Sequence, residues 1–330
     1  MKTLNYTLPI LMLVCLAGWC FGQSFAPVGT SVAQFLEVGT GARATGLGQA
    51  CTGIAAGAEA AFWNPAGLAE SSSQSFYSSF STWPADISLL GLSYAVNLGS
   101  AGVVGISGVY LMTDDMEITT LAQPGGTGSY FNISNFSAGL SYARYLTDRF
   151  CVGVTGKVVH EKYWTNGYTT WALDLGTQYH TDFHGLRLGM SILHFGPEVT
   201  FSGSFIDYSD SKSYSVNKSK SFNSYSLPIN FRFGAAIDLL NNDQHRLTTA
   251  VDMVHPNNNL EQYNVGLEYG FNRMFFLRGG YQIQADEGGL GLGLGVQTTM
   301  SGHLGVTFDY SYADLGILTS AHRFALAITY

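Results

Sequence analysis

From Gln74 to the C-terminus, alternation of apolar residues with a period of two dominates the sequence. Side chains on a strand point to opposite faces in turn, so this rhythm predicts a sheet with one apolar face. The segment Ser226–Leu239 sets Ile229, Phe231, Phe233, Ala235, Ile237 and Leu239 against Asn230, Arg232, Gly234, Ala236 and Asp238. In His303–Tyr312, Leu304, Val306, Phe308, Tyr310 and Tyr312 alternate with His303, Gly305, Thr307, Asp309 and Ser311. In Gly288–Met300, Leu290, Leu292, Leu294 and Val296 alternate with glycines.

The pattern predicts 14 strands, at 74–82, 87–97, 101–112, 133–145, 150–164, 168–180, 185–195, 226–239, 244–255, 259–271, 273–284, 288–300, 303–312 and 321–330. Most are longer than the roughly 9–11 residues that cross a bilayer on a tilt. The even-numbered connections are all short, and the long ones, 113–132, 196–225 and 313–320, are odd-numbered. Outer-membrane barrels have an even strand number, short periplasmic turns and long outside loops. The parity therefore predicts an all-β, 14-stranded antiparallel transmembrane β-barrel with both termini periplasmic.

Before this region the rhythm is different. Residues 24–73 are rich in Ala and Gly, lack period-two alternation and contain Phe62-Trp63-Asn64-Pro65-Ala66-Gly67. They predict short helices and turns. The first residues, with Lys2 ahead of an apolar stretch from Leu8 to Ala17 and then Gly22-Gln23, have the pattern of a secretory signal peptide over 1–22. The apolar stretch is too short for a membrane anchor. Bulky Trp19 ahead of Cys20 argues against a lipid-anchored N-terminus.

Composition supports an exported barrel. Only 12% of residues are charged, against about 25% in a typical soluble domain, while Gly counts 40, Phe 21 and Tyr 19. No run of 18 apolar residues follows the leader. A net charge of −8 argues against nucleic-acid binding. Beyond the leader only Cys51 and Cys151 remain, which is no disulfide framework, and two unpaired buried residues are expected rather than a bridge.

Candidate chemistry is sparse. Gly39-Thr40-Gly41-Ala42-Arg43-Ala44 resembles part of a dinucleotide fingerprint in letters but lacks the strand–turn–helix setting, so no cofactor is expected. His180 and His184 flank a predicted turn without a matching ligand set, so no metal is expected. No nucleophile sits in a catalytic context, so no enzyme is expected. The small face of Gly288–Gly295 suggests close approach of a neighbouring segment. Lys157, Asp174, Arg187, Arg232, Asp238, Glu268, Arg278, Asp309 and Arg323 fall on the lumen face. With both signs interspersed, mutual pairing is expected over a selectivity lining. The stretch Gly203–Tyr225 carries Phe205, Tyr208, Tyr214, Phe222 and Tyr225 and reads as a partner-binding surface, against a flexible solvated loop.

Three blocks carry a family resemblance: Phe35-Leu36-Glu37-Val38-Gly39-Thr40-Gly41-Ala42-Arg43-Ala44, then Gly46-Leu47-Gly48-Gln49-Ala50, then Phe62-Trp63-Asn64-Pro65-Ala66-Gly67-Leu68-Ala69. Together they resemble the PorV/PorQ family. Tyr312-Ala313-Asp314-Leu315-Gly316 followed by His322-Arg323-Phe324 is similar to that family's ending. The family is related to FadL-type 14-stranded transporters, which share an Asn-Pro-Ala-Gly element in a hatch inside the barrel. The resemblance implies three parts: the signal peptide over 1–22, a hatch over 23–73 and a barrel over 74–330. It also implies service in the type IX secretion system, with secretion components and exported proteins as partners. Loops 113–132 and 196–225 match nothing that would distinguish subfamilies. The alternative function is a FadL-like channel for hydrophobic small molecules, for which a continuous apolar pocket near the hatch would speak. Finally, Phe324, Leu326, Ile328 and Tyr330 share one face of the last strand and resemble the terminal signal read by the outer-membrane assembly machinery.

Overall fold

The computed structural model describes residues 26–206, 219–300 and 304–330. The expected leader over 1–22 lies outside these residues, as do Tyr208 and Tyr214. Fourteen antiparallel strands close into one barrel. They are β1 (Gln74–Trp83), β2 (Ile87–Asn97), β3 (Val103–Met112), β4 (Ser134–Thr147), β5 (Phe150–Tyr163), β6 (Asn166–His180) and β7 (Arg187–Phe195). They continue as β8 (Asn230–Asn241), β9 (His245–Pro256), β10 (Gln262–Phe271), β11 (Phe275–Ile283), β12 (Leu290–Met300), β13 (Leu304–Asp314) and β14 (Ser320–Thr329). Each pairs with its sequence neighbours, and β14 returns to pair with β1, Phe324 facing Phe80 and Ile328 facing Phe76. Closure leaves no edge whose backbone groups would be stranded in lipid. Both ends of the barrel chain meet there, with Tyr330 N–H donating to the Gln74 carbonyl at 2.8 Å.

The burial pattern is that of a membrane barrel rather than a soluble protein. Leu140 is 62% exposed and Leu277 55%, while Arg232 is 4% and Glu268 4%. Apolar side chains face outward and charges face in, the reverse of a water-soluble core. No helix among the described residues is long and apolar enough to cross a membrane; the strands make the crossing.

Strand boundaries lie within three residues of the sequence expectation except at the start of β8, and the last connection also differs. β8 begins at Asn230, not at 226. Pro228 has no N–H for the ladder, and Leu227 is fully buried in a cluster with Phe35, Leu89 and Tyr168 at the loop end of the lumen. The last connection is also shorter than 313–320. β13 runs through Asp314, and a 3-10 turn at Gly316–Leu318 leads straight into β14. The other two long connections stand. They hold the short pair Met116–Glu117 with Tyr130–Phe131, and two ribbons, Val199–Thr200 with Ser224–Tyr225 and Ser204–Ile206 with Ser219–Ser221.

The segment ahead of β1 is irregular, as expected. It holds a helix at Ala42–Gly46 and 3-10 turns at Gln34–Glu37, Gly57–Phe62 and Pro65–Glu70. It lies inside the barrel. Its alanines, with Leu47, Ile54, Trp63 and Leu68, form the buried cluster that fills the lumen. The wall is small where the segment touches it. A Cβ on Gly153 would lie 2.3 Å from the Pro65 carbonyl carbon, and one on Gly291 2.3 Å from the Thr45 carbonyl oxygen. This is the close approach that the glycine face of β12 foreshadowed.

Candidate functional site

The site begins with the turn at Asn64. Asn64 is extended (φ −156°, ψ 101°), and its Oδ1 accepts from the Ala66 N–H at 3.2 Å, capping the Pro65–Glu70 turn. Pro65 follows as the first turn residue, where its missing N–H costs nothing. Asn64 Nδ2 donates to the Thr52 carbonyl at 2.9 Å and to the Thr177 carbonyl of β6 at 3.1 Å. One fully buried side chain thus caps a turn and ties it to the wall. Gly67 is required by packing, since a Cβ there would sit 2.0 Å from the Ala55 carbonyl oxygen. Trp63 is buried, donates its indole N–H to the Thr40 carbonyl at 2.8 Å and lies under the Arg232 guanidinium at 5.0 Å. Phe62 is half-buried and packs near Tyr77.

The wall holds this segment through polar groups. Asp252 of β9 accepts from the Cys51 and Thr52 amides at 3.0 and 2.9 Å and from the Thr52 hydroxyl at 2.6 Å. Gln178 of β6 donates to the Thr52 and Ala55 carbonyls at 3.2 and 2.9 Å. Arg232 of β8 donates to the Gln49 carbonyl at 2.6 Å. Glu268 of β10 accepts two bonds from Arg43, at 3.0 and 3.2 Å, and one from Arg278 at 2.7 Å. That carboxylate holds the Arg43 guanidinium more firmly protonated than usual. Glu161 of β5 accepts from the Ala33 amide at 2.9 Å. Lumen charges do pair with one another, as in Arg187–Asp238 at 2.8 Å and Arg278–Asp309 at 2.6 Å. Much of their bonding, however, goes to the inner segment. Sequence reading missed Asp252, Glu161, Gln178 and Arg43 as anchors. Lumen parity of the strand residues was the available signal.

The inner segment separates two cavities. One, about 350 Å³, opens toward the end of the barrel where Gln74 meets Tyr330 and is lined by Glu59, Tyr77, Glu268, Arg278 and Asp309. Burial pushes the Glu59 carboxyl up to about 7, with Arg43 and Arg278 acting the other way and Asp309 and Glu268 reinforcing the rise. A carboxyl raised in the folded state favours folding in its protonated form. Its contribution is complete below the ordinary 4.5 and is lost as pH rises through 7. Glu59→Gln is therefore expected to raise the heat-modification midpoint at pH 8 and leave it little changed at pH 5. The effect is on the order of 2 kcal/mol after solvent screening. Equal midpoint shifts at both pH values would count against it.

The other cavity, about 320 Å³, opens toward the odd-numbered loops and is lined by Glu37, Trp63, Lys157, Asp174, His194 and Arg232 among others. A bulge shapes it. The β6–β7 register slips between Leu173, opposite Phe195, and Leu175, opposite Ile192. His194 takes a left-handed conformation (φ 64°) and turns inward. Its amide donates to Asp174 Oδ1 at 2.7 Å, and Lys157 Nζ donates to Asp174 Oδ2 at 2.8 Å and to His194 Nδ1 at 2.5 Å. This wall can offer and accept hydrogen bonds; it is not an apolar sleeve. The apolar hollow, about 470 Å³ and lined by Val154, Leu175 and Met190, lies on the lipid side of the wall.

Above the second cavity the rim carries an aromatic spine. Phe201 packs edge-on against Tyr168 at 5.0 Å and beside Phe222 at 5.9 Å, and Phe222 against Phe205 at 5.4 Å. Phe205 is 41% exposed. Cys51 and Cys151 are both buried and unpaired. His180 Nε2 lies 2.9 Å from Glu70, His184 is exposed, and no metal-capable group of three was found among the described residues. The Gly39–Ala44 letters form no strand–turn–helix unit; Gly41 precedes a five-residue helix. On β14, Phe324 is exposed toward lipid, Leu326 and Ile328 are half-exposed and Arg323 faces in; Tyr330, just beyond the strand, is exposed.

A family profile described as type IX secretion system protein PorV matches residues 23–256. No curated protein matches the chain in sequence. Solved structures similar in fold include the CymD monoaromatic hydrocarbon channel, 14% identical, with a TM-score of 0.57 over 88% of this chain and 96% of that one. A Pseudomonas aeruginosa FadL homologue is 12% identical, with a TM-score of 0.55 over 88% and 98%. The Pseudomonas putida toluene transporter TodX is 12% identical, with a TM-score of 0.57 over 88% and 96%. At these identities the likeness is one of fold.

Proposed function

The chain belongs to the PorV family of type IX secretion system proteins, and from that premise we propose that it is a secretion accessory that escorts or holds exported proteins at the outer membrane. In this reading the C-terminus is periplasmic, the odd-numbered loops face outward, and exported proteins are engaged at the loops and rim. The first described residues lie at the outward end, Ser31 bridging Ser226, which departs from the expectation of two periplasmic termini. Outer-membrane lipid, the assembly machinery and secretion components are its partners, and no catalytic role is assigned to it.

The observation that carries the reading is the polar cavity with a closed floor. A hydrophobic molecule needs a continuous apolar path. Here the inner segment blocks the lumen through Asp252, Gln178 and Glu268, and the cavity above it presents Lys157, Asp174, His194 and Arg232. The fold likeness to hydrocarbon channels favours the second reading, a FadL-like channel. The polar lining speaks against it. Affinity isolation from membranes, with identification of co-purifying proteins, tests the choice. Exported proteins that share a C-terminal sorting domain are expected; their absence would count against the escort reading.

The rim locates the contact. Removing residues 203–225 is expected to leave a folded, heat-modifiable barrel, because the barrel strands end at Phe195 and resume at Asn230. Recovery of exported proteins is expected to fall roughly tenfold, as loss of about 1.4 kcal/mol of aromatic contact would give. Recovery at the level of the intact protein would remove this loop as the contact.

A further inference from the structure

At the seam where the barrel closes, one buried cation, Arg323, lacks a counter-charge among the described residues. Arg323 of β14 faces Ser81 of β1 on one side and Ser311 of β13 on the other. It is 2% exposed, and its guanidinium lies over the Trp83 ring at 5.3 Å. Its Nε and Nη1, the Trp83 indole Nε1 and the hydroxyls of Ser81 and Ser311 are all buried without a hydrogen-bond partner among the described residues. The other wall cations named above, Lys157, Arg187, Arg232 and Arg278, each have a carboxylate.

A guanidinium and an indole N–H donate and never accept, so neither can relieve the other. A buried unpaired charge is costly to fold around. Arg323 and Trp83 both line a cavity of about 100 Å³ whose other wall includes Thr45, Gly48 and Gln49 of the inner segment. Two of the three acidic residues at its edge bond to other groups. Glu37 accepts from Asn258, Asp314 accepts from the Gly316 amide, and the Glu287 Oε2 lies beside Gly316.

We propose that this pocket binds a small inorganic anion, of chloride to phosphate size, held by the Arg323 guanidinium and the Trp83 indole N–H. Such an ion completes the charge-assisted bonds that the fold leaves open. It also joins the inner segment to the first and last strands, so its binding stabilises barrel closure. The proposal does not rest on the secretion reading and holds or fails independently of it.

The test uses the mature protein in detergent micelles at constant ionic strength, with a bulky organic anion as the balancing salt. The heat-modification midpoint is read during separate titrations with phosphate and chloride. A ligand that binds only the folded state raises the midpoint saturably, here by about 3 °C or more with at least one of the two ions. Arg323→Gln is expected to abolish the rise. Trp83→Phe, which keeps the ring and removes the donor, is expected to shift the titration several-fold to higher concentration. If Arg323→Gln does not assemble, Trp83→Phe decides alone. A midpoint that does not respond to either ion, or the same response in the variants, overturns the proposal and leaves water as the pocket's occupant.

Discussion

Removal of residues 24–73 is expected to convert a closed barrel into an open pore, with single-channel conductance in planar bilayers rising many-fold. The reason is geometric. The cavities of about 350 and 320 Å³ lie on opposite sides of the inner segment, and what separates them is that segment's own chain. The seal is expected to be firm in the intact protein. The bonds from Asp252, Glu268 and Glu161 are charge-assisted, about 1.5–3 kcal/mol each, and most are buried. They do not add simply, but together they make spontaneous opening rare. A gentler variant covers the case of a deletion that fails to assemble. Gly153→Val and Gly280→Val place a β-compatible residue on a strand, yet their Cβ atoms would lie 2.3 Å from the Pro65 carbonyl carbon and 2.0 Å from that of Leu47. The wall is expected to tolerate the change, because the nearest atoms all belong to the inner segment, which must move. Heat-modifiable barrels of raised conductance are expected. Conductance equal to that of the intact protein in both the deletion and the valine pair would mean that the segment is no seal.

The barrel was legible because lipid imposes a strict rule on strands. Every outward position must be apolar, so the alternation in Phe231–Ile237 or Leu290–Val296 had no competing explanation. Closure of β14 on β1 followed from the same rule. Alternation tells which side a residue faces but not what it meets there. Arg232 and Glu268 were correctly placed inward, yet their bonds to Gln49 and Arg43 depend on how residues 26–73 thread the lumen, which has no periodicity to read. The bulge at His194 was hidden for a related reason. One extra residue in β7 shifts the rhythm locally, and only the partner strand reveals it. Asn64-Pro65 is the opposite case. A capping side chain followed by proline predicts a turn start from local chemistry alone, although the reach of the Asn64 amide to Thr177 on β6 could not be foreseen. Arg323 departs from the expectation of mutual pairing, because two of the three carboxylates at the edge of its cavity bond to other groups.

Deleting Tyr330 is expected to reduce the outer-membrane yield of the protein severely while leaving the molecules that do assemble nearly as stable as before. Two roles for the residue make different predictions. As a structural element, Tyr330 contributes one reciprocal backbone pair with Gln74, at 2.8 and 3.2 Å. Such bonds are worth about 1 kcal/mol each in net terms, and they lie at the end of a seam that still pairs Ser75 with Thr329 through Thr82 with His322. On this role alone the heat-modification midpoint falls by a few degrees at most and the yield is normal. As a recognition element, Tyr330 is the last of a row, with Phe324, Leu326 and Ile328, that an assembly factor reads before the barrel exists. Tyr330 is 65% exposed at the end of the barrel where the first and last strands meet, placed to bury its ring face in lipid with the hydroxyl in water. Deletion then slows assembly, and unassembled chain is degraded before insertion. Pulse-labelling, with outer-membrane yield and midpoint measured on the same preparation, separates the roles. Low yield with an unchanged midpoint supports recognition. Normal yield, whatever the midpoint, means that the terminal residue is not read.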